Sequence, residues 1–155
     1  MEHVFKFIID ARKAFIKEIE GLTLEQLNQI PAGFNNNIIW NFGHIVVTTP
    51  ILCYVRTGIW EDASTVKYAS AYGKGTKPSY FVSQQEVDEL KQLAITSIES
   101  IEADYKAGKL DKIVAFETTT FGAVLNSIEE VIITTSGHDN THLGYVTAQK
   151  RIINK

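Results

Sequence analysis

Two histidines four residues apart, His138 and His142, stand in the run Gly137-His138-Asp139-Asn140-Thr141-His142-Leu143-Gly144. On a helix, residues at i and i+4 share a face, with Cβ atoms about 6 Å apart, so both imidazoles could reach one metal ion. By spacing alone the same pattern also describes two half-exposed helical histidines. No glutamate follows the first, so this is not the H-E-x-x-H arrangement of zinc proteases. His44 supplies a third imidazole, from the row Asn37, Asn41, His44, Thr48 and Ile51, which is polar for so apolar a segment. Three neutral imidazoles meeting between helices suit Zn(II), Ni(II) or a similar ion. Three protein ligands also leave coordination positions open to water or substrate.

The neighbours of these histidines divide by position. Asn41 is placed to orient a ligand or a bound water through its amide. Trp40, one turn before His44, reads as core packing. Asp139 lies about 100° round the helix from His138 and reads as an outer-layer or surface group. Cys53 is nine residues beyond His44, too far along the helix to join the ion, and reads as a small buried apolar side chain. His3 falls near a frayed terminus, and Glu117 and Tyr145 read as structural, which leaves the catalytic residues unassigned.

The elements that must position this set are helical. Val4, Ile8, Ala11, Phe15 and Ile19 recur at steps of three and four, giving a first amphipathic helix ended by Gly21. Thr23 and Gln26 have capping-box spacing for a short turn, stopped by Pro31 and Gly33. Asn35 to Asn37 offer N-caps for a helix to about Arg56, which Pro50 should kink. Periodicity then disappears from Ile59 to Val82, a connection rich in aromatics that reads either as a crossover packed on the helices or, at Ala69 to Lys77, as a surface loop. Ser83 opens a third long helix reaching Gly108. Residues Ile113 to Thr120 suit a short strand or an extended segment at the bundle's end. Asn126 as N-cap, with Glu129 at the third helical position, starts a last helix bearing the stripe Val131, Thr135, His138, His142, Tyr145, Gln149 and Ile152. The expected fold is all-α, a four-helix bundle in one domain over 1–155, with a long crossover between helices 2 and 3.

Totals exclude several classes of function. The chain has 155 residues, is 45% hydrophobic and carries a net charge of −3, with no cluster of Lys and Arg for a nucleic-acid backbone. One cysteine precludes an internal disulfide, and the N-terminus lacks a secretory layout, so the cytoplasm is the expected compartment. The most apolar stretch, Ile38 to Val55, is interrupted by Asn41, His44, Thr48, Thr49 and Pro50, which argues against a membrane span.

The segments Asn37-Ile38-Ile39-Trp40-Asn41-Phe42-Gly43-His44-Ile45 and Gly137 to Tyr145 resemble the two signature segments of the DinB-like superfamily, W-x-x-x-H and H-x-x-x-H-x-G, in order and separation. The resemblance implies a four-helix bundle and one divalent metal ion per chain, zinc or nickel, held by His44, His138 and His142. It further implies a small-molecule substrate, in some members with a low-molecular-weight thiol in S-transfer or isomerisation and in others with hydrolysis, and a homodimer by analogy. The other reading open to the sequence is a non-catalytic module, metal-bound or not, serving dimerisation or a stress-related role. It draws on the lack of an identifiable general base.

Overall fold

The computed structural model describes residues 1–154 and is all-α apart from one small hairpin. Its elements in order are α1 (Glu2–Ile19), α2 (Leu24–Asn28), α3 (Ile38–Pro50) with a π-helical continuation (Ile51–Val55), α4 (Ala69–Tyr72), α5 (Gln84–Lys106), β1 (Phe116–Glu117), β2 (Val124–Leu125) and α6 (Ile128–Ile153). Local chemistry sets the boundaries. Thr23 and Gln26 complete the reciprocal capping box of α2, Asn37 accepts from the Trp40 amide to start α3, and Ser83 accepts from the Glu86 amide to start α5.

Pro50 acts differently from a simple kink. After it the helix widens, and Arg56 N–H bonds the Ile51 carbonyl five residues back at 2.9 Å. The strand expected within Ile113 to Thr120 is only two residues long, with Phe116 opposite Leu125 and Glu117 opposite Val124 in an antiparallel pair. The start of α6 is shifted by one residue. Ser127, not Asn126, is the N-cap and accepts from the Glu130 amide, while Glu130 Oε2 accepts the Asn126 N–H at 2.6 Å. Tyr145 and Ile152, placed on the inward stripe of that helix by spacing, are instead exposed.

Helices α1 and α3 each pack on both α5 and α6. Ile38–Val55, in contrast to its reading from sequence, is long and apolar enough by composition to cross a membrane; 78% of it is buried inside the fold, as in a core helix. The core divides into two apolar clusters. One holds Phe15, Ile19, Phe42, Ile45, Leu90 and Val146, and the other Phe5, Ile8, Cys53, Ile98, Ile101 and Val131.

A polar layer lies between them. Arg12 from α1, with 0% exposure, donates from Nε to Asp139 Oδ2 on α6 at 2.9 Å. Its Nη1 donates to the Ala94 carbonyl and Ser97 Oγ on α5, and its Nη2 to the Ile45 carbonyl and Thr49 Oγ1 on α3. One guanidinium therefore ties the other three long helices together and uses all five donors. Arg12 replaces Ala11 on the buried stripe of α1, which reads Phe5, Ile8, Arg12, Phe15 and Ile19.

Candidate metal centre

His44 on α3 and His138 and His142 on α6 converge, and their candidate ligand atoms all lie within 4.8 Å of one another. His44 and His138 are buried and His142 is half-buried. The helix pair that carries them is in direct contact, so the centre rests on the packing of α3 against α6.

Hydrogen bonds around the rings select the nitrogens that face inward. The Tyr72 carbonyl lies 2.6 Å from His44 Nδ1, and a carbonyl only accepts, so Nδ1 carries the proton and Nε2 keeps its lone pair. Asn41 does the same for His142. Its Nδ2 donates to Asn36 Oδ1, the Asn37 carbonyl and Gln149 Oε1, which turns Oδ1 toward His142 Nδ1 at 2.8 Å. The amide orients a ligand, as its position in the sequence suggested. Trp40 is more than core filling, because its ring stacks on His44 at 4.7 Å and 11° while Nε1 donates to Thr76 Oγ1 at 3.0 Å.

The connection from Ile59 to Val82 is thus docked where it matters. Tyr72 is buried, its ring lies on Gly43, and its hydroxyl donates to Glu86 Oε1 at 2.5 Å. A Cβ at Gly43 would fall 2.5 Å from Tyr72 Cδ1, so only glycine lets the crossover approach closely enough for the Tyr72 carbonyl to reach His44. Tyr68, at the start of α4, adopts φ +67° and anchors through its hydroxyl to Glu89.

The model of the DinB superfamily matches residues 8–146, a span that includes all three histidines with Trp40, Asn41 and Tyr72. The chain belongs to the DinB superfamily. Comparison with curated proteins finds none that matches it. The W-x-x-x-H and H-x-x-x-H-x-G segments by which it resembles DinB-like proteins are the segments that meet at this centre.

Burial holds all three imidazoles neutral. It lowers the pKa of His44, against the opposing bond to Tyr72. Burial, with the charges of His44 and Arg12, brings His138 down to about 4, and burial with the other two histidines brings His142 down to about 3. Neutral imidazole is the form that binds a divalent ion. Among the described residues, His138 Nδ1 and Asp139 Oδ1 are the buried side-chain polar atoms without a hydrogen-bond partner, and they face each other at 4.0 Å. Two preset Nε2 lone pairs, an unsatisfied third ring and a wholly neutral donor set fit a divalent cation.

The lowered values carry a pH signature. Above an ordinary histidine pKa of 6.5, folded and unfolded chains are both neutral at these positions. As pH falls from 6.5 toward 4, the unfolded chain takes protons that folded His138 and His142 refuse. Metal-free protein is therefore expected to lose stability across that window, and His142→Gln to lose less. Urea midpoints at pH 7 and pH 5 measure the difference; equal pH slopes for the two proteins would refute the assignment.

A cavity of about 270 Å³ opens beside the histidines, walled by Ile51, Leu52, Phe116 and Phe121, with Thr48 and Thr118 among its polar groups. Of the other residues singled out in the sequence, Cys53 is fully buried with its thiol pushed up to about 12, which makes it inert as a nucleophile. Glu117 and Tyr145 do not line the cavity, and Tyr145 is 51% exposed, edge-on to Phe34. His3 is exposed on α1. Of the two positions open to Asp139 in the sequence, the surface is ruled out: it is buried against Arg12, with Oδ1 4.0 Å from His138 Nδ1. Burial pushes its carboxyl above the usual carboxylate range, against the opposing pull of the Arg12 guanidinium paired with it at 2.9 Å.

Proposed function

We propose that this DinB superfamily chain is a divalent-metal-dependent enzyme acting on a small molecule, by thiol S-transfer or by hydrolysis. His44, His138 and His142 are the ligands of one zinc or nickel ion per chain. The observation that carries this reading is a neutral three-imidazole cluster at the wall of a cavity sized for a small organic molecule. We take the four long helices as a four-helix bundle forming one domain over 1–155, the chain as cytoplasmic, and the homodimer as its assembly.

A bound divalent ion would lower the pKa of a coordinated water or thiol and so supply a nucleophile near neutral pH. The chain's own residues supply the rest. Tyr72 and Asn41 fix the two imidazole tautomers, Trp40 holds the plane of His44, and the apolar walls keep a bound molecule out of bulk water. A second reading, a non-catalytic module of metal-binding or dimerisation type, draws on the absence of any carboxylate among the cavity's lining residues, since acid–base catalysis needs a positioned group.

Metal analysis of untagged protein tests the first claim. Close to one equivalent of zinc or nickel is expected in the wild type, falling to near zero in His44→Ala and His142→Ala. Wild-type protein that takes up no stoichiometric ion from a zinc- or nickel-supplemented buffer would remove the proposal. Given a bound ion, turnover with thiol cosubstrates or with simple esters and amides separates the enzyme from the module.

A further inference from the structure

We infer that the cavity receives a small organic acid, with its carboxylate paired to Arg56 and Lys74 and its apolar body against Leu52, Phe116 and Phe121. This deepens the metal-enzyme reading and rests on it for the ligand's reactive end, which lies toward the three histidines. The charge distribution is the starting point. The chain as a whole is acidic, with 18 Asp and Glu against 15 Lys and Arg, yet the cavity lining contains two cations and no carboxylate. Neither cation forms an ion pair among the described residues.

Both cations are nonetheless held in place. The Arg56 guanidinium sits 4.8 Å over the Phe116 ring, and its Nη2 donates to the Glu117 carbonyl at 3.3 Å, which leaves its other N–H groups for a ligand. Lys74, from the crossover, donates to Thr119 Oγ1 at 2.8 Å and keeps two further donors. The two side chains thus come from separate parts of the chain, one just past the π-helical turn and one in the connection before α5, and both brace against the hairpin region.

The histidines add no negative charge in either protonation state, and a divalent ion would make the cavity more positive still. Two exposed cations lining one cavity, with no protein counter-ion, attract and orient an anion. A cavity of about 270 Å³ with apolar walls excludes a large polyanion, and the planar fork of arginine matches a carboxylate in two parallel hydrogen bonds. The class of ligand is therefore a compact carboxylate with a hydrocarbon body.

Hexanoate, its neutral isostere hexanamide, and inorganic phosphate are the probes, titrated into metal-free and zinc-loaded protein by calorimetry. Metal-free wild type is expected to bind hexanoate at least about tenfold more tightly than hexanamide or phosphate, and Arg56→Gln/Lys74→Gln to abolish that preference without changing zinc uptake. The charge-conserving Arg56→Lys/Lys74→Arg variant should keep a clear preference. Equal binding of hexanoate and hexanamide by wild type, phosphate binding as tight as hexanoate, or a preference that survives the Gln variant would overturn the inference. The metal reading fails separately: protein that takes no zinc but discriminates the acid through these two residues keeps the acid site and loses the metal.

Discussion

Asp139→Ala is expected to lower the unfolding free energy by about 3–5 kcal/mol, because it leaves a guanidinium inside the fold without its counter-ion. Arg12 and Asp139 have side chains that are 0% and 4% exposed, and Arg12 cannot shed its charge. The loss would be a large share of the roughly 5–15 kcal/mol that a domain possesses. A deleted methyl group in the neighbouring apolar clusters would cost about 1 kcal/mol, so the ion pair dominates this layer. Replacing both partners by apolar residues, as in Arg12→Met/Asp139→Leu, should be less damaging than Asp139→Ala alone, since no charge is left buried. Urea unfolding followed by circular dichroism measures both, and a loss below about 1 kcal/mol in Asp139→Ala would show that the pair is solvated in a way its burial does not suggest.

Gly43→Ala should combine a structural with a functional loss. In most helix interiors glycine to alanine is favourable by about 0.5–1 kcal/mol. Here the new methyl group would meet Tyr72 Cδ1 at 2.5 Å and Cγ at 2.6 Å, and the Tyr72 ring is buried and pinned by its hydroxyl to Glu86. Overpacking of this kind costs about 1–3 kcal/mol, so the sign reverses and the protein is destabilised by about 1–2 kcal/mol. The ring can escape only by lifting the crossover, which withdraws the carbonyl that fixes His44. Loss of such a supporting bond lowers metal affinity about 10–100-fold, read by competition against a chromophoric chelator. Gly144→Ala is the control, because a Cβ there meets nothing within 4 Å and should stabilise α6. Equal behaviour of the two variants would contradict the close approach of Tyr72.

The sequence made the histidines legible because their signal is periodic: His138 and His142 repeat at one helical turn, and His44 falls in a polar row of an otherwise apolar segment. The caps at Thr23, Asn37 and Ser83 were legible because capping is local chemistry. At Asn126 and Ser127 two good capping residues are adjacent, and the choice depends on which neighbour the Glu130 carboxylate reaches. The stripe on α6 was placed off-centre for a geometric reason. The buried face, with Val131, Ile132, Thr135, His138, Asp139, Val146 and Gln149, is centred to one side of the predicted row along the whole helix. Gln149 therefore stays buried, while a step of three from His142 leaves the face at Tyr145 and a step of four keeps it at Val146. Arg12 and Asp139 were beyond reach because a charged residue at a core position is intelligible only with its partner, here 127 residues away. The role of Tyr72 was hidden for the same reason, since a backbone carbonyl leaves no mark on residue type.

The donor set at the centre has one more consequence. It contains no sulfur, and the lone thiol, Cys53, is sealed in the core with 0% exposure. Sites built from thiolates release their ions when oxidised and expel protons when they bind them. Imidazoles that are already neutral at pH 7 do neither. An ion held by His44, His138 and His142 would stay indifferent to peroxide and disulfide stress, and the three imidazoles would give up no protons when it binds near neutral pH.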